Sequence, residues 1–200
     1  MDGRLGDLES ADLAVVGMED RDPSLGTGMY LVNRFPCTLD VLTRTLIALN
    51  QDELYDGAYD SYERTYTADD QAFLGGAPRL SWDIALASSY IGASFTESLK
   101  GEIRRIPEVD GLGDVLVQRT WMPEPAVFEE GSKKTFDQDY QVEVYWEAEP
   151  GTIAHQYAIW RQIDMGGGVD NDSDLLLGIT LDNLAKFDKG TAKVCEAGGP

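Results

Sequence analysis

The sequence predicts an α+β domain, a curved antiparallel sheet of six to seven strands with one long C-terminal helix packed on it. Three observations carry this reading. The one long helical pattern runs from Asp172 to about Cys195. There Leu176, Leu177, Thr180, Leu181, Leu184, Phe187, Thr191, Val194 and Cys195 share a face at about 100° per residue, and Asp182, Lys186 and Lys189 fall on the other. Between Ser61 and Ile163 the apolar period changes to two, over six successive strands. The turns between the later strands are short, which implies an antiparallel meander.

Taken in order, residues 1–27 are rich in Asp, Glu and Gly and read as an acidic tail or linker, with Leu13 to Val16 a short apolar patch. Residues 28–200 read as a single domain. Gly28–Phe35 alternates as a first strand and Pro36 ends it. Thr38 caps a helix to about Leu49, with Leu39, Leu42, Leu46 and Leu49 at helical spacing. Asp52 to Tyr59 reads as a short helical turn broken at Gly57. Ser61–Thr67 is the next strand, and Gly75, Gly76 and Pro78 mark a loop. Leu80–Ser88 places Trp82, Ile84 and Leu86 on one face. Ser94–Ile106 places Phe95, Leu99 and Ile103 on one face and Thr96, Ser98, Lys100 and Glu102 on the other. Asp114–Trp121 is stopped by Pro123 and Pro125. Asp139–Glu147 puts Tyr140, Val142, Val144 and Trp146 on one face. Pro150-Gly151 turns the chain into the last strand, Thr152–Ile163. Gly166–Gly168 leads to the helix, with Asn171, Asp172 and Ser173 as N-cap candidates.

Composition narrows the function. The net charge is −20, from 36 acidic and 16 basic residues among 200. Such a field repels phosphate backbones and anionic lipid surfaces, so no nucleic-acid partner is expected. No run is long enough to span a bilayer, and no signal peptide is visible at Met1. Cys37 and Cys195 are compatible with one disulfide or with two buried thiols. A bridge would tie the domain's ends and close a very long loop. The linker-like start and the cysteine pair favour an exported protein slightly over a cytoplasmic one. Oligomeric state is not legible.

Inward-facing polar groups are the informative ones, because burial without a partner is costly. Alternation puts Glu97 with Phe95 and Leu99, Arg119 with Val115, Val117 and Trp121, and His155 and Arg161 with Ile153, Tyr157 and Ile159. If those faces line a cavity, Glu97, Arg119, His155, Tyr157 and Arg161 form a polar set in an apolar wall, and Trp82 would suit a ring-shaped ligand. The alternative is a structural ion pair. His155 is the only histidine, a general base or a satisfied structural residue; no Ser or Cys partner stands at a recognisable spacing. One His and two distant Cys do not make a zinc site. Asp170 to Asp174 opens like a calcium loop, but Leu175 and Leu181 stand where an EF-hand needs Gly and Glu. No Lys-Ser/Thr pair follows Gly166–Gly168, so it is no phosphate loop. No metal or cofactor is expected.

The order of elements resembles the helix-grip fold of the START and polyketide-cyclase-like (SRPBCC) superfamily. In that fold an incomplete antiparallel barrel wraps round a long C-terminal helix. The resemblance rests on Gly28–Phe35, Thr38–Tyr59, Ser61–Ile163 and Asp172–Cys195, and it is topological. It implies a cavity between sheet and helix that binds or carries a hydrophobic small molecule or lipid. The alternatives are a cyclase- or hydrolase-type enzyme using His155 or Glu97 as acid/base, and a filled-core structural or interaction domain. A closed lipocalin-like barrel would want eight strands and few early helices, and Thr38–Leu49 argues against it.

Overall fold

The structure is a computed structural model that describes residues 2–55, 57–90, 92–170 and 173–200. Among these it has nine strands in one open antiparallel sheet, two more than the sequence suggests. β1 (Asp2–Leu5) pairs with β2 (Thr27–Pro36), followed across the sheet by β9 (Thr152–Asp164), β8 (Thr135–Glu149), β6 (Gly113–Trp121), β5 (Ala93–Val109), β4 (Arg79–Tyr90) and β3 (Ser61–Tyr66). The two-residue β7 (Val127–Phe128) pairs with the start of β5. Thus β3 to β9 form the meander, and β9 returns to β2 with Asn33 opposite His155. β1 and β3 are the outer strands of this order, and the sheet stays an open one.

Local chemistry explains the helices. The Thr38 hydroxyl accepts from the Val41 N–H at the start of α2 (Leu39–Ile47), and Ser173 accepts from Leu176 N–H at the start of α5 (Asp174–Glu196). Of the other two N-cap candidates, Asn171 and Asp172 lie outside the described residues. α3 (Gln51–Leu54) is a single turn. α4 (Asp70–Leu74), inside the expected loop, is capped by Asp69 and buries Phe73 completely. α5 lies across β2 and α2. Its Leu184 packs on Met29, Leu31, Tyr157 and Ile159. A disulfide joins Cys37, just after β2, to Cys195 in the last turn of α5. Gly190 has a packing role there, since a Cβ would stand 2.9 Å from the Tyr55 ring. Among the described residues no helix is long and apolar enough to cross a membrane.

Residues 2–25, read as tail, also carry structure. Besides β1 they form α1 (Ser10–Ala14) and a 3-10 turn at Pro23–Leu25. Leu13 and Met18 are buried against Trp121 and Tyr140, with Val142 and Trp160 packed beside them. The acidic composition hides a few well-placed apolar side chains. They cover the face of the sheet opposite α5, so the sheet is apolar on both sides.

Candidate functional site

Between the inner face of the sheet and α5 lies a cavity of about 260 Å³. Its apolar wall comes from alternate positions of β4 and β5 (Ile84, Leu86, Phe95, Leu99), with Phe136, Tyr59, Tyr62 and Phe187 closing it. Phe95 and Phe136 meet edge to face, with ring centroids 5.8 Å apart.

Polar side chains form two groups. The first joins the start of β8 to the end of β9 and looks toward β5. Asp139 stands opposite Arg161 in the register, and its Oδ2 accepts from Arg161 (2.9 Å) and from Gln141 (2.7 Å). The Tyr157 hydroxyl donates to Gln141 at 2.5 Å. Arg161 also lies over the Phe136 ring, 4.9 Å from its centroid. Glu97 faces this group from β5. Burial and then the charge of Asp139 push its carboxyl up to about 7, against the opposing pull of Arg161.

The second group lies further along β8 and β9 and reaches α5. Glu143 accepts from Gln118 (2.8 Å) and from the Tyr145 hydroxyl (2.5 Å). The His155 ring stacks on Tyr145 at 4.1 Å. Its Nδ1 is 2.7 Å from Asp188 of α5, and its Nε2 is 3.4 Å from Glu143. Asp188 also accepts from Asn33 of β2 at 3.0 Å. Burial alone would lower the His155 pKa; the hydrogen bond to Asp188 and the pull of the Glu143 carboxylate beside it outweigh burial and raise it to about 9. At neutral pH the ring is therefore a cation between two carboxylates. Through Asp188 it clamps α5 to the sheet.

Of the residues singled out from sequence, Glu97, His155, Tyr157 and Arg161 line the cavity. Arg119 does not. It sits on the opposite face and bonds Glu102 through Nε (2.9 Å) and a terminal nitrogen (2.5 Å). Arg79 and Arg104 converge on the same carboxylate. The alternation is right, but its apolar companions Val115 and Trp121 are buried on the outer face, where the N-terminal segment packs against Trp121. Trp82 is on the inner face yet outside the cavity lining. It lies under Arg64, 4.5 Å from the guanidinium carbon, and over Gly101, where a Cβ would overlap the indole.

Asp139, Gln141, Glu143 and Asp188 are the residues that sequence reasoning passes over. The apolar face of β8, with Tyr140 and Val142, turns outward, so its polar alternates line the cavity. A signal existed for Asp188. At about 100° per residue it falls between Leu177 and Leu181 on the helical wheel, a carboxylate inside the apolar stripe.

Structural comparison places this architecture among START-like folds. A START superfamily protein from Mycobacterium smegmatis superimposes with a TM-score of 0.53 at 8% identity, over 85% of this chain and 97% of that one. A Thermus thermophilus protein gives 0.56 at 15% identity, over 86% and 98%. The lipid transfer and protein localization domain of human StarD13 gives 0.51 at 11% identity, over 84% and 78%. No family model matches the sequence, and no curated protein matches it either. The chain therefore has the START-like helix-grip fold, and at these identities the likeness speaks for the fold alone.

Proposed function

We propose that this protein binds a small hydrophobic or amphipathic molecule in the cavity between the sheet and α5. The carrying observation is the cavity itself, an aromatic and aliphatic wall with polar groups at both ends, which is the make-up of a small-molecule site. Two fold neighbours, a START superfamily protein and a lipid transfer domain, support the same ligand class. The volume refines it. A cavity of about 260 Å³ suits a small ligand such as a single-ring or short-chain molecule.

The test is native mass spectrometry of purified protein, with extraction of whatever leaves on denaturation, repeated on Leu99→Trp to fill the cavity. A bound small species present in the wild type and lost in a folded Leu99→Trp protein supports the reading. A clean unliganded mass, with no uptake from fatty-acid, sterol and aromatic mixtures, overturns it in favour of an interaction domain.

One observation favours a second reading. Glu97 has a carboxyl pushed up to about 7, which suits a general acid/base at neutral pH better than the doubly held His155 does. Turnover of a bound substrate, abolished in Glu97→Gln with binding retained, would convert the carrier into an enzyme of the cyclase or hydrolase type.

A further inference from the structure

Two buried carboxylate oxygens at the β5 end of the cavity take no hydrogen-bond donor among the described residues. Asp139 is 2% exposed, and its Oδ2 takes both Arg161 and Gln141, while its buried Oδ1 accepts no hydrogen bond among the described residues. Glu97 looks into the same end, and its buried Oε2 likewise accepts none among the described residues. The two charges that act on Glu97 are those of Asp139 and Arg161, so two carboxyl groups share one guanidinium, which Asp139 already engages.

The other cations of the cavity are committed elsewhere. Arg64 donates to the Leu46 carbonyl and the Tyr62 hydroxyl and stacks on Trp82. His155 is held between Asp188 and Glu143. Buried charge and buried acceptors call for a partner that brings donors and a positive charge. A protonated primary amine brings three N–H donors on one small cation. Beside these oxygens, Phe95 and Phe136 offer a surface for a ring.

We infer that the ligand of this cavity is a small aromatic amine bound as its ammonium ion, with its N–H groups on Glu97 and Asp139 and its ring against the Phe95–Phe136 wall. The inference rests on the cavity-binding reading above and names its ligand class. A carboxylate or phosphate ligand would meet the same two acidic groups and be repelled. A neutral alcohol would satisfy one acceptor and leave the charge unpaired.

The experiment is calorimetric or ligand-observed NMR titration of the full chain at neutral pH and physiological salt with three probes of one shape, 2-phenylethylamine, 2-phenylethanol and phenylacetate. Wild type and Glu97→Gln are compared. The expected result is that the amine binds at least ~10-fold more tightly than the alcohol, that phenylacetate is the weakest, and that Glu97→Gln erases the amine's advantage over the alcohol. Because the substitution removes one of 36 acidic residues, diffuse attraction of an ammonium to the acidic surface survives it and is thereby separated from binding in the cavity. An alcohol that binds as well as the amine, phenylacetate binding best, or an amine preference that persists in Glu97→Gln overturns the inference and leaves the cavity reading standing. If the wild type takes up none of the three, this inference is overturned, and the cavity reading is decided separately by uptake from the fatty-acid, sterol and aromatic mixtures.

Discussion

In the ligand-free protein, replacing Glu97 with Gln should raise stability, and the gain should depend on pH. The carboxyl loses its proton at about 7 in the folded chain instead of 4.5, chiefly because burial disfavours the anion. The folded state thus holds this proton more tightly than the unfolded state does. No cost exists below the unfolded value; the cost grows as pH rises from 4.5 and is complete above about 7. Its full size is about 3 kcal/mol, and the residue's partial exposure screens it toward the lower part of a 1–3 kcal/mol range. Glutamine has nearly the same shape and no charge, so it escapes that cost. For a chain of this length each kcal/mol is worth about 2–4 °C in Tm. Thermal and urea melts of both proteins should coincide near about pH 4 and separate by several degrees at about pH 8, with Glu97→Gln the more stable. A gap that is the same at both pH values would refute the reasoning, as would a Glu97→Gln protein that is weaker at the higher one. Either result would mean that Glu97 has a partner in solution.

Three further outcomes follow from other parts of the structure. His155 has a folded pKa of about 9 against 6.5 unfolded, so its stabilisation is complete below 6.5 and is lost as pH rises to about 9; an imidazole NMR titration with a midpoint near 6.5 would sink the clamp, and Asp188→Asn should cost about 3 kcal/mol at neutral pH. Reducing Cys37–Cys195, which spans 158 residues, should cost up to about 5 kcal/mol on a chain-entropy argument, read as a lower urea midpoint; an unchanged midpoint would show that the bridge does not constrain the unfolded chain. Met18→Ala should cost about 2–5 kcal/mol, because Met18 is fully buried, whereas a residue in a loose tail would cost less than ~0.5 kcal/mol in the same melt.

Period and punctuation made the fold legible. The meander, the early helix capped by Thr38 and the C-terminal helix could be read because each has a one-dimensional pattern that survives without tertiary context. The two additional strands could not. β7 has two residues, and β1 lies in a stretch whose Asp and Gly content mimics disorder. The site was legible on β5 and β9, where an ionisable residue interrupts an apolar face. It was not legible on β6 and β8. Alternation reports which residues share a face and never which face is inside, and a sheet covered on both sides gives hydropathy nothing to choose between. Arg119 was therefore assigned to the wrong side, and Asp139, Gln141 and Glu143 passed for solvent-facing residues. What would have broken the tie is the N-terminal segment, whose Leu13 and Met18 need a surface of their own.

The same arrangement has a consequence for how the chain is made. β2 pairs with β9, the N-terminal segment seals against Trp121, Tyr140 and Trp160, and Cys37 waits for Cys195. Each of these contacts joins the first part of the chain to the last. At ~5–20 residues per second, the stretch between Pro36 and Thr152 takes roughly 6–23 s to make, and over that interval β2 has only β1 along its edge. Contacts of such sequence separation form late and slowly. β2 and the segment carrying Leu13 and Met18 therefore stay incompletely paired and covered until β9 is made.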